Sequence, residues 1–360
     1  MKRNQIDFWR LLFMIAVCVL HSGALLTEGY STVYFSGGYI AVEFFFIVTG
    51  FYLAASVQRT NLGCQSIAER KLGSETLAFT VNRAKRMYPE FICGFIITLV
   101  LNYVIWRPSI ISQIGDLLKS GIYELFLLHV INPNADETIF SVAWYISAVL
   151  VATFIIYPCL RVFPDFFKNY ISPILMGMYI CFAGAGEDIV VGNLTTYGVV
   201  MGGTLRAVAE IAWGTFLFER VQDIRMRCAV KEIRKVERAF WTAVEICSFL
   251  FVLAVSFAYG NSKWDFTHFI LLSVAAVICL SEIDFRIPFV SDKMLRFCAD
   301  FTFALYMTHR RIINFTKMLV PQYSYPIRLL IYLVIALAAS YLVYRVCKLY
   351  RNKGKFKCKI

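Results

Sequence analysis

The sequence has few charged residues for its length. Only 17% of its 360 residues are Asp, Glu, Lys or Arg, whereas 59% are hydrophobic and 16% are aromatic. A soluble globular domain carries about 25% charged residues. The scarcity of charge therefore excludes an ordinary soluble protein and indicates a chain that is embedded in a membrane.

The sequence also lacks the common marks of metal, nucleotide and disulfide sites. Its 11 cysteines are scattered, with no Cys-x-x-Cys pair and no Cys/His spacing typical of a metal site. It has no glycine-rich phosphate loop, linker or low-complexity segment. We therefore expect no metal and no tightly bound cofactor, and cysteines that serve as small buried hydrophobic residues.

Apolar stretches recur along the whole chain, and most are long enough to cross a hydrocarbon core of about 30 Å. They predict an all-α fold, a polytopic membrane helical bundle of about ten transmembrane helices. The chain is expected to be a single membrane-embedded domain, 1–360, without an appended soluble domain or a cleavable signal. The amphipathic stretch 114–131 is expected to be re-entrant or interfacial. The predicted spans are 9–26, 38–57, 87–106, 141–160, 170–185, 197–218, 239–259, 265–281, 297–320 and 326–348, of which 170–185 and 265–281 are the weakest.

Lysine and arginine collect in alternate loops, and short cytoplasmic loops are where such residues accumulate. They crowd the N-terminus, the loops 59–86 and 220–238, and the tail from Arg345 to Lys359. This pattern predicts that both termini are cytoplasmic. The net charge of +12 then indicates contact with the bilayer and its anionic lipids rather than nucleic-acid binding.

Two polar residues interrupt the first predicted span, in the segment FWRLLFMIAVCVLH. Arg10 and His21 are eleven residues apart, so they project from one helix face about 16 Å apart along the axis. Glu43, in the second span, is expected to reach a depth similar to that of His21. A carboxylate and an imidazole at matched depth can share a hydrogen bond, which predicts an acid/base pair inside the membrane. The alternative is that the pair only holds helices together, although ionisable residues inside a membrane are functional by default.

Four ordered segments now carry a resemblance. They resemble the motifs of the acyltransferase-3 family, bacterial multi-pass membrane proteins that O-acylate cell-surface carbohydrates. The four segments are DFWRLLFMIAVCVLH, GGYIAVEFFFIVTGFYL, RAKRMYP at 83–89 and CADFTFALYMTH at 298–309. Thr49 stands where that family usually has serine. The segment AWYISAVL at 143–150 is similar to a motif of one branch of the family. The resemblance covers nearly the whole chain.

The resemblance implies an enzyme of the bacterial plasma membrane that transfers an acyl group, usually acetyl from acetyl-CoA, to a glycan hydroxyl. The acceptor would be a cell-surface or exported polysaccharide or a lipid-linked saccharide. An alcohol that attacks a thioester must lose its proton, so His21 is the candidate general base, supported by Glu43. A covalent acyl-histidine route would use the same residue. Arg10, Arg83 and Arg86 are the candidates for binding the phosphates of acetyl-CoA, the donor substrate.

Further polar and aromatic residues inside predicted spans are weaker candidates for binding substrate. Arg206 and Glu210 lie four apart on one helix face and form either a structural ion pair or part of the acceptor site. Tyr306 and His309 precede two consecutive arginines, so the span 297–320 is expected to be broken or to line a cavity. Trp144 is the remaining weaker candidate for binding substrate. The sequence leaves the oligomeric state unknown.

A membrane transporter or a substrate-importing membrane protein is the alternative function. Intramembrane arginine, glutamate and histidine also mark permeation pathways. Inverted repeats would favour this reading, and the hydropathy pattern contains none. The arginine trio together with a deep histidine fits an enzyme with two substrates better.

Overall fold

The computed structural model of the protein describes residues 5–31, 33–62, 71–131, 138–184, 196–197, 200–231, 233–260 and 264–353. Nearly all of these residues are helical. The α-helices are α1 (Ile6–Leu20), α2 (Ala41–Leu62), α3 (Leu72–Trp106), α4 (Ile110–Asp116), α5 (Ile122–Leu125), α6 (Ala143–Val162), α7 (Pro164–Phe166), α8 (Ser172–Gly184), α9 (Gly202–Val230), α10 (Lys235–Ala258), α11 (Asp265–Ser281), α12 (Asp292–Leu319) and α13 (Tyr325–Lys353).

Shorter elements extend or join these helices. Tight helical turns span His21–Leu25, Gly38–Ile40 and His129–Ile131, and wider turns span Leu117–Gly121 and Phe167–Ile171. Two-residue strands, β1 (Thr196–Tyr197) and β2 (Val200–Met201), pair antiparallel before α9.

In its described part, each of the ten predicted spans overlaps a helix, which confirms a helical membrane protein. Among the described residues, six helical segments are long and apolar enough to cross a bilayer: Ile6–Leu25, Gly38–Asn61, Leu72–Trp106, Ala143–Val162, Lys235–Ala258 and Tyr325–Asn352. The helices at the other predicted spans, α8, α9, α11 and α12, are shorter or more polar. The number of crossings therefore stays a prediction.

The first and last helices run in opposite directions. The Ser22 hydroxyl, just beyond α1, hydrogen-bonds the Tyr325 hydroxyl at the start of α13, with 2.8 Å between the oxygens. At the other end of α1, the Gln5 amide donates to Asp284, which follows α11. The start of α1 and the end of α13 thus lie at the same end of the bundle, called here the basic end because the predicted lysine- and arginine-rich segments fall there.

A hydrogen bond and ring contacts in the first half of α1 fix that helix in the bundle. The Trp9 indole donates to Glu245 of α10 at 2.9 Å, and its ring stacks on Phe249 with centroids 4.5 Å apart. Phe13 packs against the same Phe249 ring, at 5.9 Å. These contacts set the rotation of α1 and hence the direction of its polar residues.

Helices α2 and α9 approach each other unusually closely, and two glycines permit it. A Cβ on Gly50 would lie 2.0 Å from the Ile211 carbonyl oxygen, and a Cβ on Gly214 would lie 2.1 Å from the Ile47 carbonyl oxygen. Any larger residue at either position would force the helices apart. The close contact brings the polar residues in the first turns of α9 against the start of α2.

Two expectations about irregular segments need comment. Helix α12 continues without interruption through Thr308, His309, Arg310 and Arg311, so the span is not broken, and the alternative that it lines a cavity stays a prediction. Its polar groups find partners without a break: the Thr308 hydroxyl bonds Ser340 on α13 at 2.6 Å, and Arg311 donates to the Ile139 carbonyl at 2.9 Å. The segment 114–131 forms the short elements from α4 onward, and its place at the membrane surface stays a prediction.

Candidate active site

His21 ends the apolar run of α1 and begins the tight turn that follows it. Its imidazole stacks on that of His309 from α12, with ring centroids 5.4 Å apart and planes inclined by 23°. His21 is partly exposed, whereas His309 is fully buried. The fold therefore pairs two of the four histidines of the chain.

The backbone of α12 fixes the hydrogen position on His309. Its Nδ1 lies 2.8 Å from the Tyr306 carbonyl oxygen and 3.2 Å from the Leu305 carbonyl oxygen. Carbonyl oxygens only accept hydrogen bonds, so a neutral His309 carries its proton on Nδ1. Its Nε2 is then an acceptor, and that atom is buried without a hydrogen-bond partner among the described residues. A free basic nitrogen is thus held in the bundle interior.

An aromatic chain leads from the histidine pair to α6. The Tyr306 ring lies 5.9 Å from that of His309, and the Tyr145 ring lies 5.3 Å from that of Tyr306. The Tyr306 hydroxyl donates to the Val142 carbonyl at 2.9 Å. The Tyr145 hydroxyl lies beside that of Thr49 on α2. Helices α1, α2, α6 and α12 therefore meet around this group.

Glu43 belongs to a second polar group, formed where α2 and α9 touch. The Arg206 guanidinium donates to Glu43 through Nη2 and to Glu210 through Nε, the latter at 3.1 Å. All three side chains are buried. The carboxyl groups of Glu43 and Glu210 are also within hydrogen-bonding range of each other.

The predicted hydrogen bond between His21 and Glu43 is not formed among the described residues. Glu43 bonds Arg206, and His21 stacks on His309. His21 directly follows the end of α1, and Glu43 lies in the first turn of α2. Depth does not fix the rotation of a helix, and the glycine contact between α2 and α9 turns Glu43 toward Arg206.

The structure confirms that Arg206 and Glu210 form an ion pair, one of the two possibilities that their spacing left open. The pair does not stand alone, because Glu43 shares the same guanidinium. With two carboxyl groups around one guanidinium, the cluster has acceptor capacity beyond what Arg206 uses.

The three arginines expected to bind the donor lie on α1 and α3, toward the basic end. Arg10 pairs with Asp7 at 3.0 Å and remains partly exposed. Arg10 and Arg83 both lie close enough to Tyr145 to interact with it electrostatically. Arg86 neighbours Arg83 and is exposed. Arg10 and Arg83 therefore lie near Tyr145, on the side of the histidine pair toward the basic end, and Arg86 lies farther out.

Trp144 lies at the edge of this arrangement. Its ring contacts Phe46 at 6.3 Å and stands perpendicular to the ring of Tyr145. It is half-buried. The structure thus brings together His21, Tyr306 and His309, gathers Glu43, Arg206 and Glu210 in a neighbouring cluster, and leaves Trp144 outside both.

Tyr145 is the central residue that the sequence reading did not select. It contacts Tyr306, lies beside Thr49 and is within electrostatic range of Arg10, Arg83 and Glu210. The only sequence signal was its place in AWYISAVL, where the neighbouring tryptophan drew attention instead. Its position shows that both polar groups and the inner arginines surround one region of the bundle.

The stacked histidines, the inner arginines and the surrounding helices fall within a single family match. Residues 3–345 match the sequence profile of the acyltransferase-3 family, which describes an acyltransferase domain. This chain belongs to that family. No curated protein and no solved structure matches it. The protein is therefore an acyltransferase with a helical membrane architecture, and the resemblance found in its motifs is confirmed.

Proposed function

We propose that this acyltransferase-3 protein transfers acetyl from acetyl-CoA to a hydroxyl group of a cell-surface or exported glycan, in the bacterial plasma membrane. The observation that carries the proposal is the stacking of the partly exposed His21 imidazole on that of the buried His309. Acyl transfer to an alcohol needs a base beside the reacting atoms, and a neutral imidazole is the commonest one.

In the proposed reaction, the acceptor hydroxyl loses its proton to His21 as its oxygen bonds the thioester carbon. The bond between that carbon and sulfur then breaks, and the proton on His21 passes to the departing thiolate to give free coenzyme A. His21 takes this role because it is the more exposed member of the pair. His309, whose hydrogen is held on Nδ1 by the backbone, orients the His21 ring by stacking.

The donor enters from the basic end in this proposal. Arg10 and Arg83 both lie near Tyr145, on the side of the site toward that end. Guanidinium groups bind phosphates in bidentate geometry. With the phosphates at these arginines and Arg86, the pantetheine arm needs to span about 16 Å along α1 to place the thioester at His21. The positive-inside rule puts the basic end in the cytoplasm, where acetyl-CoA is made.

The acceptor is proposed to lie against the Glu43–Arg206–Glu210 cluster. The carboxyl groups of Glu43 and Glu210 suit sugar hydroxyls, which donate hydrogen bonds. Tyr306 supplies an aromatic face beside the histidines, and Trp144 supplies one at the edge of the site. This arrangement separates the donor and acceptor on opposite sides of His21.

The proposed activity is tested by incubating the purified protein with acetyl-labelled acetyl-CoA and a panel of glycans and lipid-linked saccharides. We expect label to appear in an O-acetyl ester of one glycan class, with release of an equal amount of free coenzyme A. Label transfer from a longer acyl-CoA with no transfer from acetyl-CoA would overturn the choice of donor. Transfer to a protein or lipid acceptor in preference to every glycan would overturn the choice of acceptor.

A further inference from the structure

A large basic cavity lies between the last turns of α13 and the first turns of α12, outside the proposed active site. Its volume is about 970 Å³. Four cationic side chains line it: Lys293, Arg296, Arg345 and Lys348. Asp300 is the only acidic residue lining it in the described part of the chain, so four positive charges and one negative leave an excess of three.

Two of the four cations in this cavity, Arg345 and Lys348, are held in place by tyrosines without being neutralised. Arg345 donates to the Tyr341 hydroxyl at 3.1 Å, and Lys348 donates to the Tyr344 hydroxyl at 2.8 Å. The Lys348 ammonium also lies 5.1 Å from the centroid of the Tyr344 ring. No carboxylate in the described residues pairs with any of the four cations. Their charge is therefore available to an anionic ligand.

The wall of α13 beside the cavity is apolar and faces outward. Leu342, Val346 and Leu349 are each more than half exposed, at 65%, 56% and 54%. In a membrane protein this surface meets lipid tails. Cations next to an exposed apolar stripe match the two parts of a phospholipid, a phosphate headgroup and its acyl chains.

The cavity does not open toward the histidine pair. Asp300 and His309 are nine residues apart on α12, which is two and a half turns, so they point to opposite faces of the helix. A donor nucleotide bound there would have α12 between itself and His21. The position thus favours a lipid of the surrounding leaflet over the acyl donor.

We propose that this cavity binds the headgroup of an anionic phospholipid in the leaflet at the basic end, with the lipid tails along Leu342, Val346 and Leu349. The site would anchor α12, the helix that carries His309, to its annular lipid. The inference does not depend on the proposed function, because it concerns neither acyl donor nor acceptor.

Native mass spectrometry of the delipidated full-length protein in detergent tests this site, with phosphatidylglycerol and phosphatidylcholine of the same acyl chains as probes. We expect phosphatidylglycerol to bind at least about tenfold more tightly. The double variant Lys293→Gln/Arg296→Gln should weaken it about 30-fold, because each cation near the surface contributes about fivefold. Both residues are exposed, so their replacement should leave the fold intact.

The matched control is Arg227→Gln/Lys235→Gln, which removes the same charge at exposed positions on α9 and α10. It should change phosphatidylglycerol affinity less than twofold. Equal affinity for the two lipids, or equal losses in the two double variants, would overturn the proposal. A selective loss of coenzyme A binding in Lys293→Gln/Arg296→Gln, with lipid binding unchanged, would identify a nucleotide site instead.

Discussion

Replacing Arg206 with glutamine tests the buried cluster of α2 and α9 most severely. Arg206 is fully buried and donates to both Glu43 and Glu210, so the Arg206→Gln variant leaves two buried carboxyl groups without their cation. Removing one partner of a buried ion pair costs about 3–5 kcal/mol. The free energy of unfolding should therefore fall by that amount.

The cost can be measured as a shift in the midpoint of thermal unfolding in detergent. An unfolding entropy of roughly 2.1 cal/mol/K per residue gives about 0.76 kcal/mol/K for a chain of this length. A loss of about 3 kcal/mol then lowers the midpoint by about 4 °C. Helices that stay folded in the micelle reduce the entropy, so the observed shift should be at least this large.

Arg161 provides a control, since it is also buried but its acidic partner is not. It donates to Glu75 at 2.8 Å, and the Glu75 side chain is 34% exposed. After Arg161→Gln, water can solvate that carboxylate, so the midpoint should fall less than in Arg206→Gln. The triple variant Glu43→Gln/Arg206→Gln/Glu210→Gln, which buries no charge, should recover part of the loss. Equal shifts in the two single variants, or a triple variant no more stable than Arg206→Gln, would refute this account of the cluster.

Three further predictions concern the donor, the helix contact and access to the site. Arg10→Lys and Arg83→Lys should each raise the KM for acetyl-CoA with a smaller change in kcat, because lysine cannot reproduce a bidentate contact with phosphate; unchanged KM in both variants would reject these arginines as donor ligands. Gly214→Ala should lower the thermal midpoint by the equivalent of about 1–3 kcal/mol, whereas Gly177→Ala, at an open position on α8, should not; equal effects would show that close approach is not the reason. In a background without native cysteines, Thr49→Cys should react with impermeant reagents from both sides of the membrane, and labelling from one side only would contradict a site that a cytoplasmic donor and an external glycan both reach.

The sequence was enough to predict the class of fold. Hydropathy is a local property, so runs of apolar residues marked the helix at every predicted span. Two arginines in succession suggested either a break in α12 or a cavity beside it, and the structure excludes the break. The helix instead satisfies its polar side chains through partners on α13 and near the start of α6, and these contacts are far away in the sequence.

The candidate site was predictable in its residues but not in its pairings. Rise per residue predicts the depths of Arg10, His21 and Glu43, because depth follows from counting along one helix. Which side chains meet depends on how each helix is rotated about its axis. That rotation is set by distant contacts, such as Trp9 with Glu245 and Gly50 with Ile211, which no local pattern reveals.

The central claim is that His21 carries acyl transfer, and the most direct test is the rate of acetyl transfer by His21→Ala. The control is His268→Ala, which removes another buried histidine, located on α11. Both variants should insert and express as the parent does. The rate should fall about 10²–10⁴-fold in His21→Ala, the usual contribution of a positioned base, and remain near that of the parent in His268→Ala. A His21→Ala rate equal to that of the parent would contradict the account.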